Sequence, residues 1–186
     1  MAFIGEIGPR LAREYPGLRY GTQLNGTGSL MRPYRDIRFS PDKRPYKENA
    51  GIIFWVGDGK KVEQPCFYFH IDSQRAFFYG GQHIFPKVVF DRFRHAVADE
   101  KRGAQLEDIV ERLEKDGLRE MEEPACKRVP RGFPQDHPRE AYLRQIGFGL
   151  GCDLDSDAIV GPDLVETCHA YAVAMRPLMR WLAGIN

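Results

Sequence analysis

Gly51-Ile-Ile-Phe-Trp-Val-Gly-Asp-Gly59, then Phe67-Tyr-Phe-His-Ile-Asp72 and Arg75-Ala-Phe-Phe-Tyr-Gly-Gly-Gln82, decide the fold class. Each run is short, rich in β-branched and aromatic residues, and bounded by turn formers, as strands are. Asp58-Gly59 is a hairpin signal. Ser73-Gln74 leaves room only for a tight turn. Strands joined this way lie antiparallel. Gly80-Gly81 would allow close backbone approach of a neighbour or ligand.

On the N-terminal side, Phe3, Ile7 and Leu11 predict an amphipathic helix over 3–15, stopped by Pro16-Gly17. Residues 21–29 read as a loop and residues 30–39 as extended. Ser40-Pro41-Asp42-Lys43 reads as a turn. On the C-terminal side, Pro86 opens a helix whose apolar face is Val89, Phe90, Phe93 and Val97. Leu106, Ile109, Val110 and Leu113 mark a second, closed near Gly117. After a loop over 127–136, Pro138 opens a helix through Ile146, with Gly147 just past its end. A last helix starts near Pro162-Asp163, uses Leu164, Cys168, Ala172, Met175 and Met179, and is kinked at Pro177. Strands followed by helices predict an α+β fold, an antiparallel sheet from the N-terminal half packed against helices mainly from the C-terminal half. The 186 residues fit one globular domain, 1–186.

A net charge of +1 argues against bulk electrostatic binding to nucleic acid but leaves a local basic site open. Ten acids against five bases over 99–123 offset the basic first half; that stretch reads as solvated helix. No apolar run reaches the roughly 18 residues of a membrane span, and the first residues lack the pattern of a secretion signal. The expected setting is cytoplasmic. Cys66, Cys126, Cys152 and Cys168 form no C-x-x-C pair, so no metal site is expected, and no nucleotide, flavin or other cofactor motif occurs. The composition leaves oligomeric state open.

Met31 to Asn49 holds Arg32, Arg35, Arg38, Lys43, Arg44 and Lys47 against Asp36, Asp42 and Glu48. Read as a strand, its alternation puts Arg35, Ile37 and Phe39 toward the core, and Arg32, Tyr34, Asp36 and Arg38 outward. Asp36 then pins two arginines in a structural lattice or orients them toward an anion, since guanidinium suits carboxylate and phosphate. Lys43, Tyr46 and Lys47 join the same locality. A nucleic-acid surface is the third reading. A second basic stretch, Lys127-Arg-Val-Pro-Arg131-Gly-Phe-Pro-Gln-Asp136-His137-Pro138, leads toward a helix start. Lys127, Arg131 and Asp136 are binding candidates there and His137 an acid–base candidate, unless Asp136 or His137 only caps the helix with Glu140. His70 shares a strand face with Tyr68 and Asp72, either as a catalytic face or as a hydrogen-bonded polar layer.

Arg35-Asp-Ile-Arg-Phe-Ser40 with Asp42-Lys43 and Pro45-Tyr-Lys47, Tyr68-Phe-His-Ile71, and Lys127-Arg-Val-Pro130 with Gly132-Phe133 and Asp136-His-Pro138 occur in this order. Together they resemble the family of domain of unknown function 2461, over roughly residues 30 to 150. Its members carry a further N-terminal helical segment with an Asn-Asn-x-x-Trp-Phe-like stretch; this chain starts at what looks like the next helix. The resemblance implies an α+β domain in the cytoplasm, implies no reaction, and joins the basic run and the His137 loop as one composite site. Three functions follow as expectations. One is a small-ligand domain recognising phosphate or carboxylate. Another is a hydrolase or transferase on an anionic substrate, with His137 or His70 as acid–base. The third is a structural or protein-interaction domain with an internal salt-bridge lattice.

Overall fold

Among the described residues, seven helices and one six-stranded antiparallel sheet make the α+β fold. The computed structural model describes residues 1–186 except Asp36, Ser40, Asp42, Glu123 and Pro124, and the side chain of Ser156. In chain order the elements are α1 (Ala2–Glu14), β1 (Leu18–Arg19), β2 (Ala50–Val56), β3 (Cys66–Ile71), β4 (Ala76–Gln82), α2 (Lys87–Ala98) and α3 (Glu100–Lys115). Then follow β5 (Arg119–Glu120), α4 (Glu140–Leu143), β6 (Phe148–Leu154), α5 (Ser156–Val160), α6 (Leu164–Ala174) and α7 (Arg176–Ala183). The strand order is β1-β2-β3-β4-β6-β5.

Alternation sorts the strands into two faces. Phe54, Phe67, Phe78, Phe148 and Leu150 point to one face, all fully buried against the helices. Phe93 of α2 sits 5.8 Å from Phe148 and edge-on to Trp181 of α7. Tyr15, past the end of α1, donates its hydroxyl to Ala172 O of α6. Asp99 caps α3, accepting from Arg102 N at 2.8 Å. Gln82, at the end of β4, is fully buried, and its amide pairs reciprocally with that of Asn186 at 2.9 and 3.2 Å.

Sequence and structure differ at five places. The sheet is not supplied by the N-terminal half alone, since β6 and β5 come from the second half and β6 pairs with the whole of β4. Gly149 and Gly151 hide β6 from a pattern reading because they leave its alternate positions without side chains. The structure needs them small: a Cβ on Gly149 would lie 2.3 Å from the Tyr79 ring, and one on Gly151 2.5 Å from Phe78 O. The close approach expected at Gly80-Gly81 is seen, with Met175 Sδ 2.3 Å from a Cβ built on Gly80. Second, β2 and β3 pair as a hairpin, but a loop over 57–65 with a 3-10 turn at Lys61–Glu63 replaces the tight Asp-Gly turn. Third, the helix expected from Pro138 to Ile146 is only the four residues of α4, capped at Arg139. Fourth, the last helix is two, broken at Met175, with Pro177 in the first turn of α7.

The fifth concerns residues 30–39, whose described residues form no regular strand. Leu30 makes one bridge to Ile52 on the outer edge of β2, and the chain then leaves the sheet. It meets itself again where Tyr34 bridges Tyr46, with Arg35 N donating to Pro45 O and Lys47 N to Pro33 O. The described residues of 33–47 are thus a projecting clasp. Ile37 and Phe39 do not enter the core: Phe39 is 92% exposed. Apolar alternation cannot tell a buried strand from one side of an exposed ribbon.

Candidate functional site

The clasp folds back beside the start of β2, against the turn between β3 and β4. Arg35, Lys47, Glu48 and Asn49 on one side, with Asp72, Ser73 and Gln74 on the other, enclose an open cleft of about 590 Å³. Cross-strand pairing brings the two walls together, because Ala50 lies opposite Ile71, so Asn49 meets the Asp72 turn. Asp72 shapes that turn: its Oδ1 accepts from Gln74 N at 2.8 Å and Arg75 N at 2.9 Å.

The other oxygen of Asp72 engages His70. Oδ2 lies 3.0 Å from His70 Nε2, while Nδ1 of the same ring lies 3.4 Å from both Asn49 Nδ2 and Tyr68 Oη. His70 is held flat on Phe77, with ring centroids 4.8 Å apart and 14° between planes. With Nε2–H donated to the carboxylate, Nδ1 is an acceptor for the Asn49 amide or the Tyr68 hydroxyl. Gly51 opens the space for that hydroxyl, which would lie 2.3 Å from a Cβ there. The hydrogen bond from His70, then those from Gln74 and Arg75, pull the Asp72 carboxyl down to about 2. Burial raises the pKa of Tyr68.

Among the described residues two carboxylates line a cleft that also holds two cations, and both carboxylates are engaged. Glu48 pairs with Arg44, and each oxygen of Asp72 already accepts a hydrogen bond. Lys47 makes no ion pair among the described residues.

The remaining sequence candidates are dispersed. Arg32 turns to the glycine-rich loop, where a Cβ on Gly26 would meet its Cγ at 2.1 Å. Lys61, donating to Gly26 O and Gly28 O, is lowered in pKa by burial and then by the charge of Arg32. At the tip of the clasp, Arg38 lies over Phe39 and Lys43 donates to Ile37 O at 2.9 Å. Tyr46 packs on Tyr34. Asp36, expected to pin two arginines, and Asp42, in the expected turn, lie outside the described residues.

The His137 loop sits on the helix-covered side of the sheet, so one composite site with the basic run does not form. Val129 is buried, and the Phe133 ring packs 5.4 Å from His95 of α2. Arg139 reaches Glu107 of α3 at 2.8 Å, in the space left by Gly103. His137 Nδ1 accepts from Arg139 N at 3.0 Å, and its carbonyl accepts from Glu140 N. These bonds close the turn before α4, whose N-cap is Arg139 with no side-chain cap, so the expected cap by Asp136 or His137 with Glu140 is not seen; α4 is too short to offer the donor array of a long helix start. Lys127, Arg131 and Asp136 are exposed on this loop, away from the cleft.

Sequence reading missed Asn49, Ser73 and Gln74 as cleft walls; the available signal was the Asx-turn pattern Asp72-Ser-Gln-Arg75. On the same face as His70, at the other end of the strands, His83 Nδ1 lies 2.8 Å from Glu122 Oε1. Burial pushes the Cys66 and Cys168 thiols up to about 12 and that of Cys152 to about 11, so they behave as core residues. Among the described residues no group of three His, Cys, Asp or Glu is placed to hold a metal ion, and no helix is long and apolar enough to cross a membrane.

A family model described as Conserved hypothetical protein (DUF2461) matches residues 1–181. No curated protein and no solved structure matches the chain.

Proposed function

The chain belongs to the DUF2461 family, and for this member we propose recognition of a small phosphate or carboxylate ligand in the cleft between the clasp and the Asp72 turn. The observation carrying this reading is the charge arrangement: among the described residues Lys47 borders the open cleft without an ion pair, while Glu48 and Asp72 of the same cleft are engaged by Arg44 and His70. A ligand oxygen would meet the Lys47 ammonium, the Asn49 amide, and the Ser73 and Gln74 side chains. Thermal unfolding with inorganic phosphate and citrate tests it. Near 100 times its dissociation constant a bound anion adds about 2.7 kcal/mol, roughly 5–10 °C for a chain of this size. Lys47→Gln should abolish the shift. An unmoved melting point with both anions rejects the reading.

A second reading rests on the His70–Asp72 pair. A carboxylate that fixes an imidazole and leaves its other nitrogen as acceptor is an acid–base arrangement, which would suit a hydrolase or transferase acting on the same anion. His137 has no part in it. Phosphate release from a phosphomonoester, lost in His70→Gln but with binding retained, supports this reading; no turnover in the wild type rejects it.

A further inference from the structure

We propose that the anion met by the cleft is the phosphate backbone of single-stranded nucleic acid, whose bases stack on the exposed rings of the clasp. This rests on the anion reading above and adds the substrate class. The clasp shows three aromatic rings to water. Tyr34 and Tyr46 are 61% and 57% exposed with ring centroids 5.4 Å apart, and Phe39 at the tip is 92% exposed. Core packing does not require them, since neither buried cluster of the sheet includes them. The ribbon alternates: Tyr34 and Tyr46 share one side, Arg35 and Lys47 the other. A chain laid along its edge therefore finds cations for its phosphates and rings for its bases.

Three features favour this partner class. The stretch 31–49 has six cations against three anions, whereas the acidic surplus of the chain lies over 99–123, so the positive charge is local and suited to a few phosphates. Stacking needs free π-faces, which single strands offer and a duplex hides. An acidic peptide would satisfy the cations but leave the rings in water.

The test is fluorescence anisotropy with end-labelled oligothymidine and oligouridine about a dozen nucleotides long, within the span of such grooves, beside a duplex and a polyglutamate peptide. Single strands should bind, with a salt slope of about −0.7 per phosphate contacted. Exchanging both tyrosines (Tyr34→Leu with Tyr46→Leu) should weaken binding roughly tenfold or more while leaving the phosphate-induced melting shift intact. Lys47→Gln should weaken both and flatten the slope. If phosphate raises the melting point but no oligonucleotide binds, this inference falls and the anion reading stands. If neither binds, both fall. Equal binding of duplex or polyglutamate, or a tyrosine variant that binds like wild type, means charge alone or an acidic protein partner, and overturns the inference.

Discussion

The two faces of the sheet share every backbone hydrogen bond and differ only in their alternate residues. Beneath the helices, Phe54, Phe67, Phe78 and Leu150 form a dry layer. On the opposite face the same strands carry Tyr68, His70, Phe77 and Tyr79, with Ile53 and Cys66 between them. The first face carries the larger buried core, and the second a smaller buried cluster beside the polar side chains of Tyr68 and His70. Strand period two keeps them apart, and a one-residue slip would exchange them.

The comparison is tested hardest at the dry face. Phe78→Ala should cost about 3–5 kcal/mol in urea unfolding, and a loss below 1 kcal/mol would show that this layer is not the main source of stability. On the opposite face, Gly149→Ala forces a methyl into the Tyr79 ring and should cost about 1–3 kcal/mol; the same melt on Gly17→Ala, which meets no neighbour, separates crowding from its positive φ.

The two ends of the open face should respond to pH with opposite signs. Asp72 titrates near 2 instead of 3.8, so its contribution is present above about pH 4 and is lost as pH falls toward 2. His83 is raised above its ordinary 6.5, chiefly by its hydrogen bond to Glu122. Its contribution is complete below that value and is lost as pH rises through the raised one. A stability–pH profile should therefore flatten on the acid side in Asp72→Asn and on the alkaline side in Glu122→Gln. If each variant leaves its own limb unchanged, the assignments are wrong. The smallest effect is expected at the clasp: Phe39→Ser should shift stability by no more than about 0.5 kcal/mol, because that ring packs on nothing in the core.

The central strands β2 to β4 and the helices α2 and α3 were legible because burial and periodicity agree there. β6 was not, since its glycines are explained only by contacts with the neighbouring strand, the Tyr79 ring for Gly149 and the Phe78 carbonyl for Gly151. The cations of the cleft could be read from charge, and the His70–Asp72 pair from alternation. The opposite wall could not, because Asn49 and the Asp72 turn meet through pairing across β2 and β3, which no local pattern records. The His137 loop was joined to the wrong face for a related reason: linear order says nothing about the side of a sheet on which a loop lands.

Both rims of the sheet are short. β1 and β5 are two residues each, and their arginines pair with Asp58 and Asp153. Beyond β1, the outer edge of β2 is occupied by Met31 N donating to Gly51 O and by Ser29 O accepting from Ile53 N. An incoming strand from another molecule would find few free backbone groups in a row, and charge beside them. The long inner strands, apolar enough to seed cross-β growth if bared, are thereby shielded from intermolecular pairing in the folded state.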